Sequence, residues 1–405
     1  MSVKKIFLIV LLLLVAVLIG IGLYKMFIGA KPAAKIPYQP PAPITPGVLP
    51  PSGARTTTGA GVPAGAILPS AGFMVQTSTP AGFYKAEPVT QISADYAVYP
   101  SLNQTGGFRY YNAADGKFYD IRNGKITPLS DQVFYNASNV TWAKNRDIVV
   151  IEYPDQSKII YNFETEKQVT LPKHWSEFSF SPEGKEIAAK SIGLAPENRW
   201  LVTTRDDGTG TKTIEPMGNN ADRVLVDWSP SRQAVAFSRT GEPLGAERQE
   251  ILLVGLNGEN FKSLVVEGEN FLPKWSTTGK KLLYSVDSSR TDFNPELWIS
   301  DAYGDRIGDN RQTLKLNTWA DKCAFASDDA LYCAVPKELP QGAGMARDIA
   351  NGLADELYKI DLRTGLKTVV PLGGDYNITN ISFDAAKSAL YFTDLNKSGV
   401  FESKL

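Results

Sequence analysis

The chain has 405 residues, 43% hydrophobic and 21% charged, the composition of a globular protein long enough to bury a large core. Its 42 basic and 43 acidic residues leave a formal net charge of -1, with neither the basic excess nor the basic stripe of a nucleic-acid binder. The single histidine, His174, leaves little room for Ser-His or Cys-His catalysis or a multi-histidine metal site, and it reads as a surface residue entering a strand.

Residues Ile6 to Tyr24 are almost unbroken Leu, Ile, Val, Ala, Phe and Gly. At 1.5 Å per residue they span roughly 28 Å, about one hydrocarbon core. Lys4 and Lys5 precede them, and the positive-inside rule places that end in the cytoplasm and the rest of the chain outside. A cleaved signal peptide is the competing reading, with Ile28-Gly-Ala30 as its small-residue site, but its apolar region would be shorter, about 7–15 residues. Residues 1–30 are therefore read as a cytoplasmic stub and a transmembrane signal-anchor helix. No Leu-x-x-Cys lipid-attachment pattern follows. Residues 31–87 are rich first in proline (Pro32 to Pro51) and then in Gly, Ala and Thr (Gly53 to Gly72), with no hydrophobic period. They read as a disordered linker, stiff in its proline half and flexible in its glycine half.

From Pro88 to Leu405 one unit recurs. Its clearest copy is Phe178-Ser-Phe-Ser-Pro-Glu-Gly-Lys-Glu-Ile-Ala-Ala-Lys190: alternating apolar residues, a tight turn, then a second apolar run. Pro182 presets the turn and Gly184 accepts the positive φ it needs. The aromatic closing the first strand aligns at Tyr99, Trp142, Phe180, Trp228, Trp275, Phe325 and Phe383, at intervals of 43, 38, 48, 47, 50 and 58 residues. A second series of turns runs in the same phase: Asp120-Ile-Arg-Asn-Gly124, Phe163-Glu-Thr-Glu166, Arg205-Asp-Asp-Gly208, Leu256-Asn-Gly258, Asp301-Ala-Tyr-Gly304 and Asp361-Leu-Arg-Thr-Gly365. Two turn series in one phase predict repeats of four antiparallel strands: an all-β, seven-bladed β-propeller over 88–405, with six or eight blades as the neighbouring counts. The last repeat reaches only its third strand at Gly399–Leu405, so Pro88–Ser93 is expected to supply the fourth and close the ring.

Phe180-Ser-Pro-Glu-Gly-Lys-Glu-Ile-Ala188, Trp228-Ser-Pro230 and Trp275-Ser-Thr-Thr-Gly-Lys-Lys-Leu282 resemble the Trp/Phe-Ser-Pro-Asp-Gly-Lys repeats of TolB-type, WD40-like β-propellers. The resemblance covers about residues 88–405 and implies the blade and a protein-binding face, not an activity. The chain departs from TolB in having no α/β domain ahead of the propeller and in its membrane anchor, so no partner and no functional residue is carried over.

Catalytic signatures are missing. Neither Gly-x-Ser-x-Gly nor a Gly-x-Gly-x-x-Gly opening a helix occurs, so no catalytic residue, cofactor or metal ligand is assigned. Asp301, Asp305 and Asp309 flank a glycine turn but lack the spacing and closing Glu of a calcium loop, and they read as a solvated hairpin tip. Asn136, Asn139 and Asn377 begin Asn-x-Ser/Thr triplets of the kind that Ser/Thr-rich turns produce by chance. Trp142, Trp228 and Trp275 occupy the repeat position that packs between blades, which accounts for them ahead of carbohydrate stacking.

The least repeat-like stretch is Pro336–Asp355, between the second and third strands of the sixth blade. Met345, Ile349 and Leu353 share a face if it is helical. It reads equally as a small helix over exposed propeller surface or as a binding loop, with Leu339, Met345, Arg347, Asp348, Ile349 and Leu353 as candidate contacts. Cys323 and Cys333 fall opposite each other on the sixth blade's first hairpin and are expected to form a disulfide, as an extracytoplasmic compartment favours. Together these readings give a membrane-anchored, extracytoplasmic propeller acting as a protein-binding or scaffolding module of the cell envelope. The alternative is a glycan-binding or glycan-cleaving propeller, which would need converging carboxylates.

Overall fold

The computed structural model describes residues 89–259 and 261–405. The expected membrane span and linker lie outside these, and among the described residues no helix is long and apolar enough to cross a membrane. Seven four-stranded antiparallel sheets follow one another in sequence. Their inner strands are Ala97–Leu102, Asn139–Trp142, Trp175–Phe180, Val224–Val226, Glu269–Trp275, Cys323–Ser327 and Ile378–Asp384, defining blades 1 to 7.

Burial within a blade explains its sequence. Second strands are covered on both faces: Ile148–Glu152 and Lys281–Asp287 are buried almost end to end. Alternate side chains of such a strand enter different cores. Val149 and Ile151 join Tyr111 and Phe118 of blade 1, while Ile148 and Val150 join Trp175 and Ile187 of blade 3. A strand serving two cores has no polar face, hence its continuous apolar run. Outer strands such as Lys125–Pro128 and Lys212–Pro216 face solvent and carry Lys, Glu and Thr.

The aromatic series marks these seams. Trp142, Phe180, Trp228, Trp275 and Phe325 each pack into the seam with the preceding blade. Trp142 Nε1 donates to the Tyr99 carbonyl at 2.8 Å, tying the inner strand of blade 2 to that of blade 1. Tyr99 itself departs from the expected series. A bulge between Val98 and Ser101 puts it at φ 50° and turns it toward blade 2, where its hydroxyl donates to the Ser138 carbonyl at 2.5 Å. Leu102, the last residue of that strand, packs in the seam toward blade 7 instead.

The ring closes as its sequence requires. Thr90–Ser93 pairs with the third strand of blade 7 in the register Thr90↔Glu402, Gln91↔Phe401 and Ser93↔Val400. Gly399, at φ +117°, lies so close that a Cβ there would stand 2.1 Å from the Ser93 carbonyl oxygen. Cys323 and Cys333 are directly opposed and disulfide-bonded, with their Cα atoms 4.0 Å apart, in the core between blades 5 and 6. With its last blade completed by its own first strand and its cores held between its own blades, the described propeller, which falls within the single unit Ala71–Leu405, contains what it needs to fold alone.

Two outcomes follow from closure. A chain beginning at residue 94 loses the sealing strand and melts roughly 5–10 °C below one beginning at residue 71, read by circular dichroism, since each ladder bond contributes about 1 kcal/mol; equal melts would show that the seal is dispensable. Replacing both cysteines by alanine lowers stability by about 2–3 kcal/mol in urea titration, as expected for so short a loop. The native chain, denatured without reductant, then shows no reactive thiol.

Candidate interaction face

Antiparallel blades fix which connections share a rim. First-to-second and third-to-fourth strand turns form a first rim, while second-to-third turns and blade-to-blade links form a second. The first rim is tight and held by ions. Arg109, its side chain wholly buried, lies 3.0 Å from Asp147 of the next blade and stacks over Trp142. Arg146 meets Asp206 at 2.5 Å, Arg232 meets Glu183 at 3.0 Å, Lys262 meets Asp309 at 2.6 Å and Lys281 meets Asp329 at 3.1 Å. Each of these pairs joins adjacent blades. Gly184 serves this packing: at φ +66° it faces the blade 2 turn, where a Cβ would stand 2.8 Å from Asn145 Oδ1.

A cleft of about 650 Å³ opens on this rim beside Arg146, Glu183, Lys185, Arg205, Asp206 and Arg232. Arg146, Arg232, Glu183 and Asp206 are already spent on one another, which makes the cleft part of the seam. The 301–309 turn belongs to the same rim. Arg306 lies 2.6 Å from Asp301, and Lys262 holds Asp309. Among the described residues, no three His, Cys, Asp or Glu side chains gather in a way that could hold a metal ion.

The second rim differs. Tyr96, Tyr135, Leu194, Leu244, Met345, Ile349 and Leu395 are exposed in its loops. Elsewhere among the described residues, large exposed apolar side chains are Ile126 and Val369 on outer strands and Leu366 and Leu405 at the first rim. His174 is exposed on the second rim, just before the inner strand of blade 3.

The 336–355 insertion is a strap across this rim. It is not an α-helix: its one regular turn is the 3₁₀ segment Arg347–Ala350. Gly342 N donates to the Asp292 carbonyl at 2.9 Å and Gly344 N to the Phe293 carbonyl at 2.8 Å, pinning the strap to blade 5. Asn377 Nδ2 donates to the Asn351 carbonyl at 2.8 Å, holding it from the blade 7 side. Underneath, Trp319, Ala343 and Ala350 form a small core with Leu272, Leu339 and Leu353 half-buried against it. Arg347 lies over the Trp319 ring at 4.7 Å and grips Asp321 through two bonds of 2.6 and 3.1 Å. The six candidate residues therefore divide. Leu339 and Leu353 turn inward, Arg347 is a clasp, and Met345 (60% exposed), Asp348 and Ile349 (46% exposed) face out. Trp319 and Asp321 were not foreseen. A tryptophan out of phase with the aromatic series was the signal available.

At the root of the strap, Lys322 and Asp355 form a buried ion pair at 2.8 and 2.9 Å, and Asp355 Oδ2 also accepts from Ile378 N at 2.6 Å. Burial lowers the Lys322 pKa against the pull of Asp355, and raises that of Asp355 against the pull of Lys322. Toward the ring axis, Asp227 and Lys274 occupy the same repeat position, one before Trp228 and Trp275. Both keep partial solvent access but are surrounded by protein at longer range, and the surroundings govern their titration. Burial pushes Asp227 up to about 6, opposed by Lys144 and Lys274. Burial brings Lys274 down to about 8, opposed chiefly by Asp321, and its ammonium donates to the Cys323 carbonyl.

No family model matches the chain, and no curated protein matches its sequence. Solved structures share its architecture. An oligogalacturonate lyase in complex with manganese is similar at TM-score 0.54 and 12% identity, over 78% of this chain and 93% of that one. The Cps50 (Swd1) β-propeller domain of Myceliophteria thermophila is similar at TM-score 0.52 and 13% identity, over 78% and 98%. TolB from Acinetobacter baumannii matches at TM-score 0.42 and 13% identity, over 69% and 62%. At these identities the likeness is one of fold: the protein is a seven-bladed β-propeller of four-stranded antiparallel blades.

The Asp227 shift has a direction that can be measured. A carboxyl whose folded pKa is raised stabilises fully below its unfolded value, 3.8, and that contribution is lost as pH climbs through about 6. Asp227→Asn therefore melts above the native chain at pH 7.5, and the difference closes by pH 4. A pH-independent difference would mean that the carboxylate is not disfavoured by its site.

Proposed function

We propose that the chain is a membrane-tethered, extracytoplasmic propeller that binds protein partners through its second rim. The observation that carries this reading is the gathering of exposed large apolar side chains on the loops of that rim, with Met345 and Ile349 held outward by a strap anchored on three blades. A soluble surface normally breaks up such side chains, and loops on a rigid scaffold are where recognition is built. The first rim, consumed by ion pairs between blades, offers little comparable surface. The tether is supported by the apolar stretch at 6–24, with Lys4 and Lys5 before it and the proline- and glycine-rich 31–87 after it. The disulfide suits an oxidising compartment. For the glycan alternative, the three tryptophans weighed as sugar platforms, Trp142, Trp228 and Trp275, are buried between blades.

A photo-crosslinking amino acid placed at Met345 or Ile349 in cells is expected to yield discrete protein adducts, and one at Leu366 on the first rim none. Adducts of equal strength from all three positions, or from Leu366 alone, would overturn the assignment of the face. The tether has its own readout: the full chain stays with membranes through an alkaline wash and is digested by protease added outside the cytoplasmic membrane. Release by the wash would remove the anchor and leave the face untouched.

A further inference from the structure

The exposed part of the strap has a sign as well as an apolar character. Its two basic side chains are both engaged, Arg347 by Asp321 and Lys337 by Asp375 at 2.6 Å. Its root lysine, Lys322, is closed on Asp355. Two of its acidic side chains, Glu338 and Asp348, are exposed and, among the described residues, stand in no ion pair within 4.0 Å; Asp348 Oδ1 accepts from Asn351 Nδ2 at 3.3 Å. Asp292, whose carbonyl receives the strap's Gly342 N, is likewise exposed and in no ion pair among the described residues. Met345 and Ile349 rise from among these carboxylates. Leu395, 46% exposed, stands on the adjoining blade 7 loop: its N–H donates to the Asn377 carbonyl at 2.9 Å, and Asn377 holds the strap. Neighbouring Lys397 donates to the Asp375 carbonyl and lies 3.9 Å over the Tyr376 ring. The strap thus offers outward apolar side chains beside carboxylates that stand in no ion pair among the described residues.

We infer that the partner docked at Met345, Ile349 and Leu395 presents a segment of apolar side chains flanked by Lys or Arg, the basic groups meeting Glu338, Asp348 and Asp292. This rests on the docking reading above and names the chemistry of its occupant. Apolar burial supplies the attraction, while complementary charge sets orientation and rejects acidic partners.

Two synthetic peptides test it against the 71–405 unit by fluorescence anisotropy, one of repeated Leu-Lys-Lys-Leu and one of repeated Leu-Glu-Glu-Leu. The lysine peptide is expected to bind at low salt at least about tenfold more tightly than the glutamate peptide, and to weaken as salt is raised. Glu338→Lys with Asp348→Lys, both at exposed positions, erases that preference while the melt stays unchanged. Met345→Ser with Ile349→Ser weakens the lysine peptide about tenfold; the charge reversal of Glu166 and Asp305, exposed in first-rim turns and outside the seam ion pairs, does not. Equal binding of the two peptides, lost in the serine variant and untouched by charge reversal on the strap, overturns the basic partner and keeps the docking face. Lysine-peptide binding that survives the serine variant, or is lost equally with first-rim reversal, overturns both.

Discussion

Every blade of this protein depends on having a blade on each side. The residues that make second strands look like unbroken apolar runs are divided between two cores, one per face, so a single blade has no finished interior. Leu282 and Tyr284 pack toward blade 4 while Leu283, between them, packs toward blade 6. Such a unit cannot be satisfied at either end of an open row. The ring must close, and it closes with a strand taken from the start of the described chain, which satisfies the last open edge with seven blades rather than six or eight.

Closure separates the molecule into surfaces with different duties. The first rim is where charges are paired across the seams between neighbouring blades. Arg109 illustrates the cost and the reward: a guanidinium buried to exclusion from solvent is tolerated because Asp147, two backbone carbonyls and the Trp142 face receive it. The second rim carries the long connections, which do not hold the ring and are free to vary. The strap is the exception that shows the rule. It is long, but it is fastened by blade 5 carbonyls, by Asp321 and by Asn377, so its outward residues are presented on a support rather than on a free loop.

The insertion is therefore neither simply a cover nor simply a binding loop. Its inner half, Leu339, Ala343, Ala350 and Leu353, buries Trp319 and is structural. Its outer half, Met345, Asp348 and Ile349, faces out, with the Asp348 carboxylate held by Asn351 Nδ2 at 3.3 Å and in no ion pair among the described residues. Removing the whole strap would expose Trp319 and leave Asp321 without Arg347, so stability and recognition are separable only by substitutions at the outward positions.

The sequence by itself determined the fold, because that information is local and repeated. The Ser-Pro-Glu-Gly and Asp-x-x-Gly turns impose backbone geometry wherever they stand, and the apolar runs between them admit few other pairings. The opposed cysteines followed from the same local register, as did the fourth strand from the missing one. Tyr99 marks where local reading fails: a bulge moves a side chain to the other seam without any residue type announcing it. The strap marks the larger failure. Helical spacing placed Met345, Ile349 and Leu353 on one face, but contacts with Trp319, Asp292 and Asn377 decide the path, and those residues lie 16 or more positions away in sequence on three different blades. The same is true of charge. Composition gives a nearly neutral chain, and only the tertiary structure assigns Arg347 to Asp321 and Lys337 to Asp375, leaving Glu338 and Asp348 exposed, because ion pairing is settled by distance in space rather than by order in the chain.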